Sequence, residues 1–535
     1  MRFPRLRLPA RGWRRWLALL GVAVGSLFLL IVVLAISLWA AFKVPAFQGW
    51  FFSKMVMMGQ PATPEETPGK PGVVPTYTGP VGDARLATSA ADLYRQTNIW
   101  NVHLRFTASE WDAIQAKRIP GVPGFMNPDG SVVLRNPKAS RNGLAGVLGI
   151  DFPWSTGNVE FGGLPFTNAA VRFKGNGTFM AVARSYRKSY KFDLGKHVKG
   201  QALAGRSVFN LGNLSADFTC LSDSLAYEYF RDAGVPAPRT AFARVFLSIA
   251  GSETNRLLGT YVMVENPDAE WAKDVFGTKG TALFKPVTLD LFSDLGTQWT
   301  NYDAIYDPKT KITDAQKSRV IEVAQWVSHA SDEDFARRFG EFVDPKEVSR
   351  FLAAEVLLSN FDGILANGQN FLFYLDSKTQ RVGFIPWDLD HSWGEFPFMG
   401  TAVQREQVSI WHPWVGTNRF LARMMAVPEF RAAYRDALEE QLKTIFVPSR
   451  IDRHVDEVAR AVRPVIAEWS TNRVARFDEA VSTEVPPGPR DTSNPMDPNR
   501  ATWQIKRFVA ARAASVRDQL DGKSEGVVIT RQPPK

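Results

Sequence analysis

The chain reads as an α+β protein, with a β-rich N-terminal part and a helix-rich C-terminal part behind one transmembrane helix. Three features lead there: an uncharged run of 26 residues, Leu17–Phe42; alternating β-type segments from residue 98 to 287; and helical periodicity over most of the remainder. With 535 residues and 45% hydrophobic content, the chain is long enough for one or more large cores, which excludes wholesale disorder. The formal charge of +10 resembles a nucleic-acid signature until it is located. Arg2, Arg5, Arg7, Arg11, Arg14 and Arg15 precede the apolar run without an acid among them, so most of the excess is an orientation signal. No nucleic-acid partner is expected. The single cysteine, Cys220, excludes an intramolecular disulfide and a cysteine zinc site.

In chain order, residues 1–16 are expected in the cytoplasm and 17–42 across the bacterial plasma membrane, since about 20 apolar residues suffice to span it. Trp13, Trp16 and Trp39 suit its two interfaces. Residues 43–96 are a juxtamembrane and linker stretch. Six prolines from Pro61 to Pro80 make it an extended spacer, because proline fixes φ and offers no amide donor. The domain is expected over 97–522, outside the membrane. It opens on a strand at NVHLRF and a helix starting at Thr107 or Ser109. Residues 119–168 are Gly-, Pro- and Asn-rich loops. Strand signals follow at AAVRFKG, SYKFDL and SVFNLG, then a helix from about Thr219 to Ala233 stopped by Gly234, then FARVFLSIAG and LGTYVMVEN. This is a mixed, mainly antiparallel sheet with an inserted helix. Helices then dominate, interrupted by strands NFLFYLD and RVGFIPWDLD; a last helix runs from Trp503 to about Leu520, and 523–535 is a disordered tail.

Three segments carry chemistry. In FKGNGT, Lys174, Gly175, Asn176, Gly177 and Thr178 form a turn followed by a strand bearing Lys188 and Lys191. Glycine-turn amides approach phosphate closely and cations behind them neutralise it, although the same pattern also makes an ordinary hairpin. Alternation puts Tyr190, Phe192 and Leu194 on one face of SYKFDL and Lys191 and Asp193 on the other. In NFDGILANGQN, Asp362 and Asn367 stand five apart, the spacing of a kinase catalytic loop; capping and turn formation would use the same residues. In FIPWDLDHSWG, a continued strand would project Asp388 and Asp390 to one face, where their repulsion calls for Mg²⁺ or Mn²⁺. His391 has no second histidine at ligand spacing and does not suggest zinc. Glycine turn, basic strand, helix, acid at a strand end (Glu265), Asp-x4-Asn loop and late Asp follow one another in the order used for phosphoryl transfer.

Together these segments resemble the CotH kinase family of atypical, spore-coat-type kinases. VRFKGNGT with RKSYKFDL is similar to the family's glycine turn and basic strand, SDSLAYEYFRDAGVPAPR to its helix segment, and LLGTYVMVEN to its Glu-bearing strand. NFDGILANGQNFLFYLD and FIPWDLDHSWG resemble its N-x-D-x(4)-N-x-x-N and P-W-D-x-D-x-x-[FW]-G signatures. The resemblance implies a two-lobed, kinase-like fold that uses ATP with Mg²⁺ or Mn²⁺. It implies Asp362 as the catalytic residue, Asn367 and Asp388 as metal ligands with Asp390 a second candidate, and Lys188 or Lys191 on the phosphates. Glu265 would lie near the nucleotide or pair with a base, Asn370 would support the loop, and Trp387 belongs to the last signature.

The function expected is therefore a membrane-anchored phosphotransferase, with an exported protein or envelope component as acceptor. An inactive scaffold of the same fold and a metal-dependent hydrolase are the alternatives, and nucleotide binding separates the hydrolase from the kinase.

Overall fold

The computed structural model describes residues 77–118 and 149–530, apart from 176, 183, 184, 218, 289 and 491–499. The basic terminus, the expected span at 17–42, the linker up to residue 76, Asn176 and the tail from 531 lie outside the described residues.

Nine strands come first: β1 Ile99–Phe106, β2 Lys117–Arg118, β3 Ile150–Asp151, β4 Ser155–Phe161, β5 Leu164–Lys174, β6 Ser189–Asp193, β7 Val208–Gly212, β8 Thr240–Ile249 and β9 Glu253–Glu265. Seven of them close into a barrel in the order β1-β4-β5-β6-β7-β9-β8, while β2 and β3 form a separate two-residue ladder. Closure comes from β1, which pairs antiparallel with β4 and parallel with β8 over Ile99–Phe106 against Phe242–Ile249. Alternation decides what fills the barrel: Phe173, Tyr190, Phe192, Phe209 and Tyr261 turn inward, with Phe192 and Phe209 stacked at 5.0 Å.

The helix Ser222–Asp232 stands between β7 and β8, and a three-stranded sheet β10-β11-β12 (Ala282–Phe284, Phe371–Leu375, Val382–Pro386) follows the barrel. Helices Asp314–His329, Pro345–Leu357, Pro428–Thr444, Pro448–Trp469 and Ile505–Leu520 build the second core, distinct from the barrel's. Val262, Val264 and Phe242, on the outer barrel face, belong to this helical core and join the two parts. Arg512, fully buried on the last helix, spends its donors on backbone carbonyls of Val356 (3.0 Å) and Val408 (2.6 Å).

The expected two-lobed kinase fold behind a membrane helix is corrected on both counts. The β-rich part is a closed barrel rather than an open mixed sheet, because β8 returns to β1. No helix among the described residues is long and apolar enough to cross a membrane, so the single-pass localisation has no helix to rest on there; the expected span itself falls outside those residues.

Candidate functional site

The site lies where the outer face of β5 and β6 meets the loops after β10 and β12. Because Val171 and Phe173 point into the barrel, Arg172 and Lys174 point out, and the register sets Arg172 opposite Lys191. Lys285, just after β10, adds a third amine. Lys174 and Lys285 approach the Trp387 ring to 5.5 and 5.7 Å. Burial, and for Lys191 the crowding of like charge behind it, shows in their acidities. Burial, then Arg172, Lys174 and Lys309, push Lys191 down to about 7. Burial pushes Lys285 down to about 8, against the pull of Asp388. Lys174 is also lowered by burial, opposed by Asp388, Asp223 and Asp390 in that order. The Lys191 ammonium donates to Asn266 Oδ1 at 2.9 Å.

The carboxylate wall is assembled by the helix Ser222–Asp232. Its start is fixed by Asp217, which accepts from the Thr219 and Ser222 amides at 2.9 Å each. Asp223 and Tyr227, four apart, then share one face. Asp223 Oδ1 accepts from the Leu389 amide at 2.7 Å, and the Tyr227 hydroxyl accepts from the Asp388 amide at 2.9 Å. The Trp393 indole donates to the Ser222 carbonyl at 3.2 Å. These bonds hold the segment after β12 in a bend, with Asp388 at φ 57° and exposed. Asp388 and Asp390 therefore do not share a strand face as the sequence suggests: β12 ends at Pro386. Asp388 faces the amines, and Asp390 lies with Asp362 and His391.

Asp362 is half-buried in the loop after helix Pro345–Leu357. Its two oxygens accept from the side-chain amides of Asn367 (2.6 Å) and Asn370 (2.8 Å). Asn370, at φ 59°, accepts through its carbonyl from the Trp387 amide at 3.1 Å, tying this loop to the next. Burial raises Asp362, and His391 and the Asn367 bond resist that rise. Asp390 is raised well above the usual carboxylate range by burial and by Asp388, Asp223 and Asp362, against His391.

Other expected residues fall elsewhere. Lys188 is buried, donates to the Val182 carbonyl and lies 4.8 Å over Phe179. Glu265 is buried against Arg206, at 3.0 Å, and Arg239. Gly175, at φ 82°, makes a turn in which a Cβ would sit 2.2 Å from Thr178 Oγ1; Gly177 then begins a short helix, Gly177–Ala181, rather than a plain hairpin. Sequence reasoning missed Asp223 and Tyr227. Their four-residue spacing was the available signal. It also missed Lys285 and Arg172.

One wall of amines facing a wall of carboxylates can hold a polyanion on one side and a hard cation on the other. Residues 171–516 match the family described as CotH kinase protein, and the chain belongs to that family. The chain is also similar to the inner spore coat protein H of Bacillus subtilis (strain 168), at 24% identity over 306 residues, covering 55% of this chain and 80% of the relative.

Proposed function

We propose that the protein is an ATP- and divalent-metal-dependent phosphotransferase that phosphorylates a protein hydroxyl. The observation that carries this is the approach of Lys174, at the end of β5, and Lys285, just after β10, to the one ring of Trp387, with Asp388 as the first counter-charge of Lys174. These amines, with Arg172 and Lys191, would bind the phosphates; desolvation strengthens their hold on an anion. Asn367, Asp388 and Asp390 offer the oxygen donors that Mg²⁺ or Mn²⁺ takes, and Asp388 and Asp390 lie near enough to act on each other. That ion, when bound, supplies charge neutralisation at the transferring group. Asp362, oriented by two amides and raised by burial, suits the acceptance of a proton from the attacking hydroxyl. Glu265 and Lys188 have no part in this reading, since Arg206 engages the one and the Val182 carbonyl the other.

Calorimetric titration of the full-length protein with ATP tests it. Binding that needs Mg²⁺ or Mn²⁺ and weakens about ten-fold or more in Asp388→Ala is expected. Absence of ATP binding with either ion would leave the hydrolase alternative in its place.

A further inference from the structure

Two buried polar side chains adjoin the Asp362 loop. Glu355, in the last turn of helix Pro345–Leu357, and Asn360, in the turn after it, have no exposed surface. Their four polar atoms, Glu355 Oε1 and Oε2 and Asn360 Oδ1 and Nδ2, have no partner of hydrogen-bond geometry among the described residues. Orphans of this kind are rare in a folded core, because each costs its full desolvation. The two side chains converge on Gly363, where a Cβ would lie 3.0 Å from Asn360 Nδ2 and 3.2 Å from Glu355 Oε2.

Gly363 is where the loop is tied. Its amide donates to the Asn360 carbonyl at 3.4 Å, and its carbonyl accepts from the amides of Asn367 at 3.1 Å and Gly368 at 3.0 Å. Asn360 is fixed to the helix in turn, its amide donating to the Glu355 carbonyl at 3.0 Å. Gly363 adjoins Asp362, and the Asn367 side chain donates to one Asp362 oxygen at 2.6 Å. The Glu355 and Asn360 side chains therefore pack against the residue from which both Asp362 and its Asn367 partner are hung. A neutral carboxylic acid suits this place. Its O–H can donate to the amide oxygen while its carbonyl accepts from the amide N–H, whereas a carboxylate has no proton to give. Burial favours the neutral form and pushes Glu355 up to about 8; the Asn360 amide resists that rise, and no charged side chain among the described residues acts on it.

We propose that Glu355 is a positioning residue for Asp362: protonated and paired with Asn360, it fixes the Asp362 loop through Gly363, and its ionisation releases that loop. The use of this tie in catalysis rests on the kinase reading, whereas the tie itself requires no nucleotide.

Two readouts on the full-length protein test it. In hydrogen exchange followed by mass spectrometry and corrected for the intrinsic effect of pH, peptides across 360–368 should exchange about ten-fold or more faster at about pH 9 than at about pH 7. In Glu355→Gln, whose amide does not ionise, that ratio should fall to about two-fold or less. The second readout is label transfer from γ-labelled ATP at saturating ATP, where titration of Lys191 and Lys285 at the phosphates weighs least. Glu355→Leu should lower the maximal rate by about ten- to hundred-fold with the KM for ATP changed by about two-fold or less. Glu355→Gln should run about five-fold or more faster than Glu355→Leu and lack the alkaline fall of the wild type. Equal alkaline loosening in wild type and folded Glu355→Gln, or equal rate losses in the two variants, overturns the proposal. If Glu355→Leu does not fold, the exchange comparison decides. Loosening that Glu355→Gln abolishes, in a protein that transfers no label, supports the tie and counts against the kinase reading alone.

Discussion

Glu355 is fully buried on the helix that leads into the Asp362 loop, beside the Asn360 amide. Burial pushes its carboxyl up to about 8, so it is held neutral at physiological pH. A raised acid binds its proton more tightly when folded. Its stabilising contribution is therefore complete below the ordinary value of 4.5, falls as pH rises towards about 8, and changes no further above that. Denaturant melts at about pH 5 and about pH 9 should differ by on the order of a few kcal/mol, and Glu355→Gln should remove much of that difference. Equal pH dependence in the two proteins would refute a neutral Glu355. Lys191 offers a second residue-scale check. With its amine near 7, binding of a polyphosphate above that pH should take up a proton, seen as a buffer-dependent heat in calorimetry and lost in Lys191→Met. Neither Glu355 nor the choice of Lys191 over Lys188 was legible in the sequence. Both depend on what surrounds a side chain, and alternation alone places Lys191 outward without saying what it faces.

Local elements were the legible level, for identifiable reasons. The helix expected from Thr219 to Ala233 spans Ser222–Asp232 after Leu221, and it is buried on nearly every side, Ser222, Asp223, Ser224 and Tyr227 as well as Leu225, Tyr229 and Phe230. The first strand and the Thr107 cap follow from alternation and a capping box. The segment after β12 was misread, because a strand pattern in FIPWDLD cannot reveal that helix Ser222–Asp232 bends it through Asp223 and Tyr227. The same bend explains Gly394. It has φ 70°, and a Cβ there would lie 2.3 Å from the buried Phe508 ring. Gly394→Ala should therefore cost about 1–3 kcal/mol or more, through backbone strain plus the clash, measured by denaturant unfolding. A variant as stable as the parent would show that the bend relaxes freely.

At the scale of the whole molecule, closure of the barrel was hidden because it depends on a parallel pairing between β1 and β8, whose residues lie about 140 positions apart; local periodicity carries no record of such a partner. Yet closure is what creates the site. It fills the interior with aromatic side chains, and so turns Arg172, Lys174 and Lys191 outward against the loops that carry Asp362 and Asp388. The loops with Asp362 and Asp388 were legible as motifs, whereas the different surroundings of Asp388 and Asp390 needed the folded chain. Transfer of label from γ-labelled ATP by full-length protein, compared with Asp362→Asn at matched ATP occupancy, tests the central claim most directly. The account predicts metal-dependent labelling of a protein acceptor, or of the chain itself, that falls by about 10²–10⁴-fold in Asp362→Asn while ATP still binds. Labelling that is undiminished in Asp362→Asn would contradict it.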